Sequence, residues 1–569
     1  MKVSDYIVEY IIEKGVTDVF GYPGGMVTHL MDSFRKYEDK VRAHVTYHEQ
    51  GAAFAACGYA QASGKTGVAY ATSGPGATNL ITGICNAYFD SIPTVFITGQ
   101  VNTFEAKGGL LVRQRGFQET DIISMVRGVT KYCACVNSAE DIGYELDLAW
   151  KYANEGRKGP VLLDIPMNVQ RAEISSAQLR RLQEEPREVH KIEEPWIILQ
   201  KLLQDARKPV VLIGGGVKTA QAEHVVKALI EKWNVPVVSS MLAFDVLESG
   251  HPKYYGFIGA YGDRTANFIV AKSDLIISLG SRLDVRQIGA NEKGFGENAK
   301  LVRVDIDDGE FTRKIKEDEL DILCDLKHFC EIVSEKDFKI QSRKEWIAVC
   351  DTIREKLEGL DESKPKEWIR QFSVKLPDDI KITTDVGQNQ VWIAQSFVTK
   401  PAQKVFFSGG HGAMGYALPA AIGAYYGGRK PVVCFNGDGG IQMNIQELQF
   451  VVREQLPITI VILNNSSLGM IRHFQEMYFQ ENYYQTNARS GYTVPDFEKL
   501  ADAYGIDYYN IRRDGDIEHY EWDVGEPHIV EMSLQDPTYV FPKLEFGKSN
   551  QDQEPRINRK LYDYLMNLD

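Results

Sequence analysis

Asp438, in PVVCFNGDGGIQMN, and Asn465, in ITIVILNNSSLGM, end two successive apolar runs and stand 27 residues apart, the length of one strand–helix–strand crossover. Mg²⁺ takes oxygen ligands in near-octahedral geometry and usually shares its shell with substrate phosphates. A carboxylate, an amide oxygen and a loop carbonyl such as that of Ser467 supply three such ligands, with a diphosphate and water to complete the shell. A lone Asp-Gly more often marks a turn or a cap; the carboxylate and the amide at successive strand ends point instead to a metal–diphosphate site. Gly437, Gly439 and Gly440, with Gly387 and Gln388 after the run ITTDVG, fit the diphosphate, because close backbone approach tolerates no side chain.

The elements that must hold these residues are short apolar runs ending in Gly, Ser, Asn or Asp: GVAYATSGPG, TVFITGQ, GPVLLDIP, PVVLIGGG, DLIISLGS, LVRVDID, PVVCFNGDGG and ITIVILNN. Longer stretches of helical spacing lie between them, so the runs read as buried parallel strands of βαβ units. The fold class is α/β, as three doubly wound parallel-sheet domains. Two charged segments without strand-like runs, about 171–195 and 338–368, read as partly helical linkers, which sets the domains at 1–175, 190–340 and 365–569. No repeat of 20–50 residues is apparent. Ligands of open parallel sheets gather at the carboxyl ends of strands, and each domain has glycine-rich strand ends.

The 569 residues exceed what one core organises, and 44% hydrophobic with 25% charged residues excludes a disordered or coiled-coil chain. A net charge of −14 leaves no footprint for nucleic acid or an anionic membrane. Eight cysteines contain no C-x-x-C pair, which predicts reduced thiols with neither disulfides nor a zinc site. MKVSDYIVEYIIEKG reads as an amphipathic helix stopped at Gly15 rather than a signal peptide. The weakly charged stretch Gly412–Gly428 is shorter than a bilayer span. The expected location is the cytoplasm.

GDG followed by NN resembles the diphosphate-and-magnesium signature of thiamine diphosphate (ThDP) enzymes, and the chain as a whole resembles the acetohydroxyacid (acetolactate) synthase family. The likeness is carried by VFGYPGG at 19–25, YHEQGAAFAACGYA at 47–60, TSGPGATN at 72–79, AYFDSIPTVFITGQV at 87–101, GFQETD at 116–121, SRLDVRQIG at 281–289, TTDVGQNQVW at 383–392, GGHGAMGYALPAAIGA at 409–424 and DPTYVFPKLEFGKS at 536–549. It implies a first domain that takes the ThDP pyrimidine, a central domain of FAD or nucleotide-binding type, and a last domain for the diphosphate and Mg²⁺. Glu49 would meet N1′ of the pyrimidine, where a carboxyl group favours the imino tautomer that deprotonates the thiazolium carbon. Met414 would lie beneath the bent cofactor. Pro23 and Gly24, then Thr72, Gly76 and Asn79, then Gly412, Gly469 and Met470 complete the implied ThDP contacts. Gly24, Gly25 and Gln118 could aim donors at a developing oxyanion, with Lys131 beside the substrate. The His-His pair of the pyruvate decarboxylase branch does not occur in the first domain.

For the central domain the resemblance implies FAD without net redox work, held by Gly214, Gly215 and Gly216 of GGGVKTA, by Arg282 and Arg286, and by Asp305 and Asp307 on the adenine side. The chain departs from the family at Ala260-Tyr261, where Met-His is usual, and at Asp308-Gly309, where Pro-Ala is usual. Phe474 replaces an acceptor-selecting Trp, and Met26 replaces a small residue; both would border the second-substrate pocket, where such a volume change outweighs the methylene worth about 1–3 kcal/mol. The resulting expectation is a ThDP-, Mg²⁺- and FAD-containing carboligase that decarboxylates a 2-oxo acid, pyruvate in the first instance, and joins the acyl unit to a second carbonyl. It would act as a dimer or tetramer, with ThDP between the first domain of one copy and the last of another. Two alternatives stand beside it: a relative with a ketosugar or aldehyde acceptor or a simple decarboxylase or lyase, and a catalytically silent scaffold.

Overall fold

A computed structural model of the chain describes residues 1–175, 179–183, 192–338, 341–522, 525–535 and 537–569; part of the expected 171–195 linker and Asp536 of the DPTYVFPKLEFGKS motif lie outside these. Three six-stranded parallel sheets follow one another along the sequence. The first comprises β1 (Asp18–Gly21), β2 (Arg42–Val45), β3 (Gly67–Ala71), β4 (Thr94–Gln100), β5 (Tyr132–Cys135) and β6 (Pro160–Pro166), in the order β2-β1-β3-β4-β6-β5. The second holds β7 (Pro209–Ile213), β8 (Val237–Ser239), β9 (Tyr254–Phe257), β10 (Leu275–Leu279), β11 (Lys300–Asp305) and β12 (Leu320–Leu323), in the order β12-β11-β10-β7-β8-β9. In the third, β13 (Lys381–Thr384), β14 (Lys404–Phe407), β15 (Val432–Gly437), β16 (Ile458–Asn464), β17 (Asp507–Ile511) and β18 (His528–Ser533) run β14-β13-β15-β16-β18-β17.

The first and third sheets therefore share one strand order, a duplication that no short-period repeat in the sequence betrays. Strand order reverses between β1 and β3 and between β13 and β15, and in the central sheet between β7 and β10, which places a ligand crevice at each of these three points. Runs such as Val210–Ile213 and Ile458–Ile462 are buried on both faces, as parallel strands covered by helices must be.

Helix Glu49–Ser63 of the first unit packs directly on helix Ala417–Gly428 of the third. Small residues make this possible: a Cβ on Gly58 would stand 2.0 Å from the Ala420 carbonyl oxygen, and one on Gly423 1.8 Å from that of Ala55. Arg429, just past the second helix, adds an ion pair to the buried Asp18 at 2.8 Å. The end of the chain returns to the central unit, because Phe268 and Tyr562 pack edge to face and Lys272 Nζ closes the carbonyls of Met566 and Leu568 at 2.7 Å. The segment expected as a second linker is largely helical and anchored, with Trp346 Nε1 donating to the Pro209 carbonyl at 2.9 Å and Trp368 buried in the third core. All eight cysteines are free thiols. Helix Val3–Glu13 ends before Gly15, which takes a left-handed φ of 75°. Among the described residues no helix is long and apolar enough to cross a membrane.

Candidate active site

At the β1/β3 crevice, the loop after β1 and the turn after β3 meet around Glu49. The carboxylate sits in the first turn of helix Glu49–Ser63, where the helix end favours negative charge, and is 8% exposed. Asn79 Nδ2 donates to Glu49 Oε2 at 2.9 Å. Oε1 faces Gly76, where a Cβ would come within 3.1 Å of it and within 2.8 Å of Thr72 Cγ2. Thr72 is in turn pressed against Gly24, and its hydroxyl accepts the Met26 amide at 3.2 Å. Gly25, beside the exposed Pro23, has nothing within 4 Å of a Cβ position and opens outward. Gln118 reaches the same turn in a left-handed conformation, φ 63°, its Cβ 2.9 Å from where Gly74 would carry one. Lys131 lies elsewhere: it precedes β5, at the amino end of that strand, and its Nζ bonds the Glu155 carbonyl at 2.6 Å. Burial lowers its pKa to about 8.

The β13/β15 crevice gathers the oxygen-rich set. Asp438 accepts from the Asn465 amide at 3.0 Å and from the Tyr492 hydroxyl at 2.8 Å, and burial, opposed by these donors, pushes its carboxyl up to about 6. A cation would offset that desolvation. The Asn465 side chain is aimed by two neighbours, Nδ2 donating to Gln388 Oε1 at 2.9 Å and to Thr538 Oγ1 at 2.7 Å, while Oδ1 accepts the Ser467 N–H at 3.1 Å. Ser467 turns its hydroxyl to the Thr486 carbonyl, and its own carbonyl accepts the Gly469 amide at 2.8 Å. Gln388 thus serves Asn465 with its side chain, and its backbone amide stands at the start of helix Gln388–Ser396, next to Gly387 at φ 134°.

Around this set Gly437, Gly439 and Gly440 form the floor, and Met414 reaches over Gly439, its Cε 3.3 Å from a Cβ there. Gly412 is open, and Gly415 is pinned by the buried Asp385, which takes its amide at 2.9 Å. A Cβ on Gly469 would lie 2.0 Å from Gln388 Oε1, so a side chain there would displace the Gln388 amide; Met470 packs against the third core. Phe474 is half exposed on helix Gly469–Tyr478, 4.6 Å from the Tyr478 ring. Among the described residues no group of three or more His, Cys, Asp or Glu could hold a metal, so a cation here would rely on Asp438 with amide and carbonyl oxygens, a donor set suited to Mg²⁺.

The β7/β10 crevice opens into a cavity of about 480 Å³ at the junction of all three units. Gly215 and Gly216 line it, as do Gly280, Ser281 and Arg282 after β10, and Asp305 at the end of β11. Arg286 faces it beside the Tyr261 ring, 6.0 Å from the guanidinium. Gly214 lies behind the wall, tight against the Gly280 carbonyl, and Asp307 is engaged by Arg157 at 2.9 Å.

Residues 1–125 match the N-terminal TPP binding domain of thiamine pyrophosphate enzymes, 198–333 their central domain and 385–521 their C-terminal TPP binding domain. The chain is 34% identical to the acetolactate synthase isozyme 2 large subunit of Escherichia coli K12, over 98% of this chain and 100% of that one. It is 35% identical to the acetolactate synthase large subunits of Lactococcus lactis, over 96% and 94%, and Corynebacterium glutamicum, over 96% and 89%. The chain belongs to the acetolactate synthase large-subunit family.

Three residues of this family member stand at the crevices although the sequence reading passed over them. Arg157, in GRKGP, reads as turn chemistry, yet it lines the central cavity and bridges to Asp307 and Glu310. Thr538 comes from a distant irregular segment and orients both Asn465 and Gln388. Tyr492 reaches Asp438 from a loop 54 residues further on. Only Tyr492 lacks any local signal: Thr538 stands in the DPTYVFPKLEFGKS motif, and Arg157 lies in a Gly-Arg-Lys-Gly turn just before a strand.

Proposed function

We propose that this chain binds ThDP with Mg²⁺ and decarboxylates a 2-oxo acid, pyruvate in the first instance, joining the resulting acyl unit to a second carbonyl. The observation that carries the reading is the pairing of two half-sites at equivalent crevices of two sheets with the same strand order, one offering an acid and the other an oxygen donor set. Bound there, ThDP would supply a carbanion-stabilising centre that no side chain provides. Asp438, Asn465 and the Ser467 carbonyl would hold the cation, and the amides at Gly387–Gln388 and Gly439–Gly440 would meet the diphosphate. Glu49 would hold a proton at the pyrimidine ring nitrogen. The Gly25 amide and Gln118 would donate to oxygen as it gains charge, and the apolar floor at Met414 would exclude water.

We place the complete site between the first unit of one copy and the third unit of another, so that the active form is a dimer or a higher oligomer. FAD is proposed for the central cavity. Its support is the dinucleotide-type strand order, the cationic side chains of Arg282 and Arg286 among others on the wall, and the glycine approach at 215–216. The test is product analysis with pyruvate, ThDP and Mg²⁺, with and without added carbonyl acceptors. A carbon–carbon ligated product supports the reading. Acetaldehyde alone would make the chain a simple decarboxylase, and no carbon dioxide release would overturn the proposal.

A further inference from the structure

Glu447 ties the segment that follows Asp438 to the helix of Glu49. It follows Asp438 and Asn444 in the third unit, is wholly buried, and crosses to the first unit, where its Oε1 accepts the Tyr47 amide at 2.9 Å. The His48 amide also supports its charge. These two amides belong to the residues immediately before Glu49, so the carboxylate fixes the entry into helix Glu49–Ser63. His48 caps that helix with Nδ1, which accepts the Gln50 amide at 3.1 Å. One residue further, Gly51 is without a side chain for the same reason, because a Cβ would lie 2.6 Å from Glu447 Oε1. Asn444 adds a second strut, donating to Gln50 Oε1 at 3.0 Å and to the Gly415 carbonyl at 2.8 Å.

Packing alone does not account for a carboxylate here. Oε2 is buried with no donor in hydrogen-bond geometry, the Gln446 amide being the weakest of the neighbours that favour its charge, and burial pushes the carboxyl up to about 7. An apolar side chain at this position would avoid that cost. What only an acceptor supplies is a fixed position for the Tyr47 amide.

We propose that Glu447 is the positioning residue of Glu49: by accepting the Tyr47 amide across the domain interface, it sets where the first turn of the helix, and hence the Glu49 carboxyl, stands. This rests on the reading of Glu49 given above. A displacement of about 1 Å at a reacting group can cost on the order of a hundredfold in rate, so a carboxylate that touches neither cofactor nor substrate can still govern the step.

The test compares wild type, Glu447→Ala, Glu447→Gln and Glu447→Asp. In the protein without cofactor, amide hydrogen exchange of peptides spanning 44–54 should rise in Glu447→Ala and Glu447→Asp and stay near wild type in Glu447→Gln, which keeps an acceptor oxygen. With Mg²⁺ and ThDP, calorimetry should show affinity within about threefold of wild type, while hydrogen–deuterium exchange at the thiazolium carbon slows by about 10–100-fold in the Ala and Asp variants and is rescued in Gln. Unchanged thiazolium exchange in Glu447→Ala would overturn the proposal, as would lost cofactor affinity with normal exchange at saturation, which marks a purely structural strut. If Glu447→Ala does not fold, the Asp and Gln pair decides on the same readouts. A wild-type protein that does not accelerate thiazolium exchange would instead sink the reading of Glu49, and the unloaded amide exchange would still report on Glu447.

Discussion

Asn79 donates its side-chain amide to Glu49 Oε2 at 2.9 Å, which leaves Oε1 turned into the notch over Gly76. The acid is thereby held by one oxygen and presented by the other. Glu49→Gln can satisfy Asn79 with its carbonyl oxygen, so ThDP affinity should stay within about tenfold. An amide cannot carry the proton, and general acid–base groups contribute about 10²–10⁴-fold. Thiazolium hydrogen–deuterium exchange should slow by that factor; an unchanged rate would return Glu49 to the status of a helix-start carboxylate.

Asp438→Ala removes the only carboxylate of the oxygen donor set and leaves the Tyr492 hydroxyl and the Asn465 amide without their acceptor. Even outer partners of a metal site are worth about 10–100-fold in metal affinity, so Mg²⁺-dependent ThDP binding should fall by more than that, with the circular dichroism spectrum unchanged. Titration calorimetry decides, and wild-type affinity in the variant would dismiss Asp438 as a ligand.

Purified protein, or protein given FAD, should absorb between about 350 and 480 nm and keep that absorbance during turnover. Arg282→Ala removes a cationic side chain from the cavity wall, and loss of a charged hydrogen bond of about 1.5–3 kcal/mol should weaken flavin binding by about 10–100-fold. A colourless protein indifferent to added FAD would mean that the central sheet keeps the crevice without this ligand.

Gly423→Ala drives a methyl group to 1.8 Å from the Ala55 carbonyl oxygen, in the contact between helix Glu49–Ser63 and helix Ala417–Gly428. Overpacking of this kind costs about 1–3 kcal/mol. Calorimetric unfolding should show a lowered transition, and because the first of these helices begins at Glu49, thiazolium exchange should slow with it. A variant as stable as wild type would show that the two helices separate without penalty.

The sequence exposed what glycine marks and concealed what distance assembles. Asp438 and Asn465 stand at strand ends flanked by residues that permit close approach, so their nearness in the fold could be read along the chain. Lys131 stands at a strand as well, but at its amino end, and a run of apolar residues has the same composition read from either side. Glu447 follows Gln446 in what looks like an ordinary polar helix start, and only the packing of the third unit on the first makes it a buried acceptor. The common strand order of the outer sheets was invisible for a related reason: topology survives when side-chain patterns diverge. The return of helix Arg559–Met566 to the central unit gave no warning either, since amphipathic spacing names a buried face without naming its partner.

The central cavity draws its walls from Asp90 and Arg157 of the first unit, Arg282 of the second and Phe407 and Gly409 of the third. Whatever fills it touches all three units at once, so occupancy and cohesion are thermodynamically linked. A ligand at a hundred times its dissociation constant adds about 2.7 kcal/mol to the assembled form. The unfolding temperature of this chain is therefore a titratable quantity, and a thermal-shift series over candidate nucleotides would report the occupant of the cavity with no assay of catalysis.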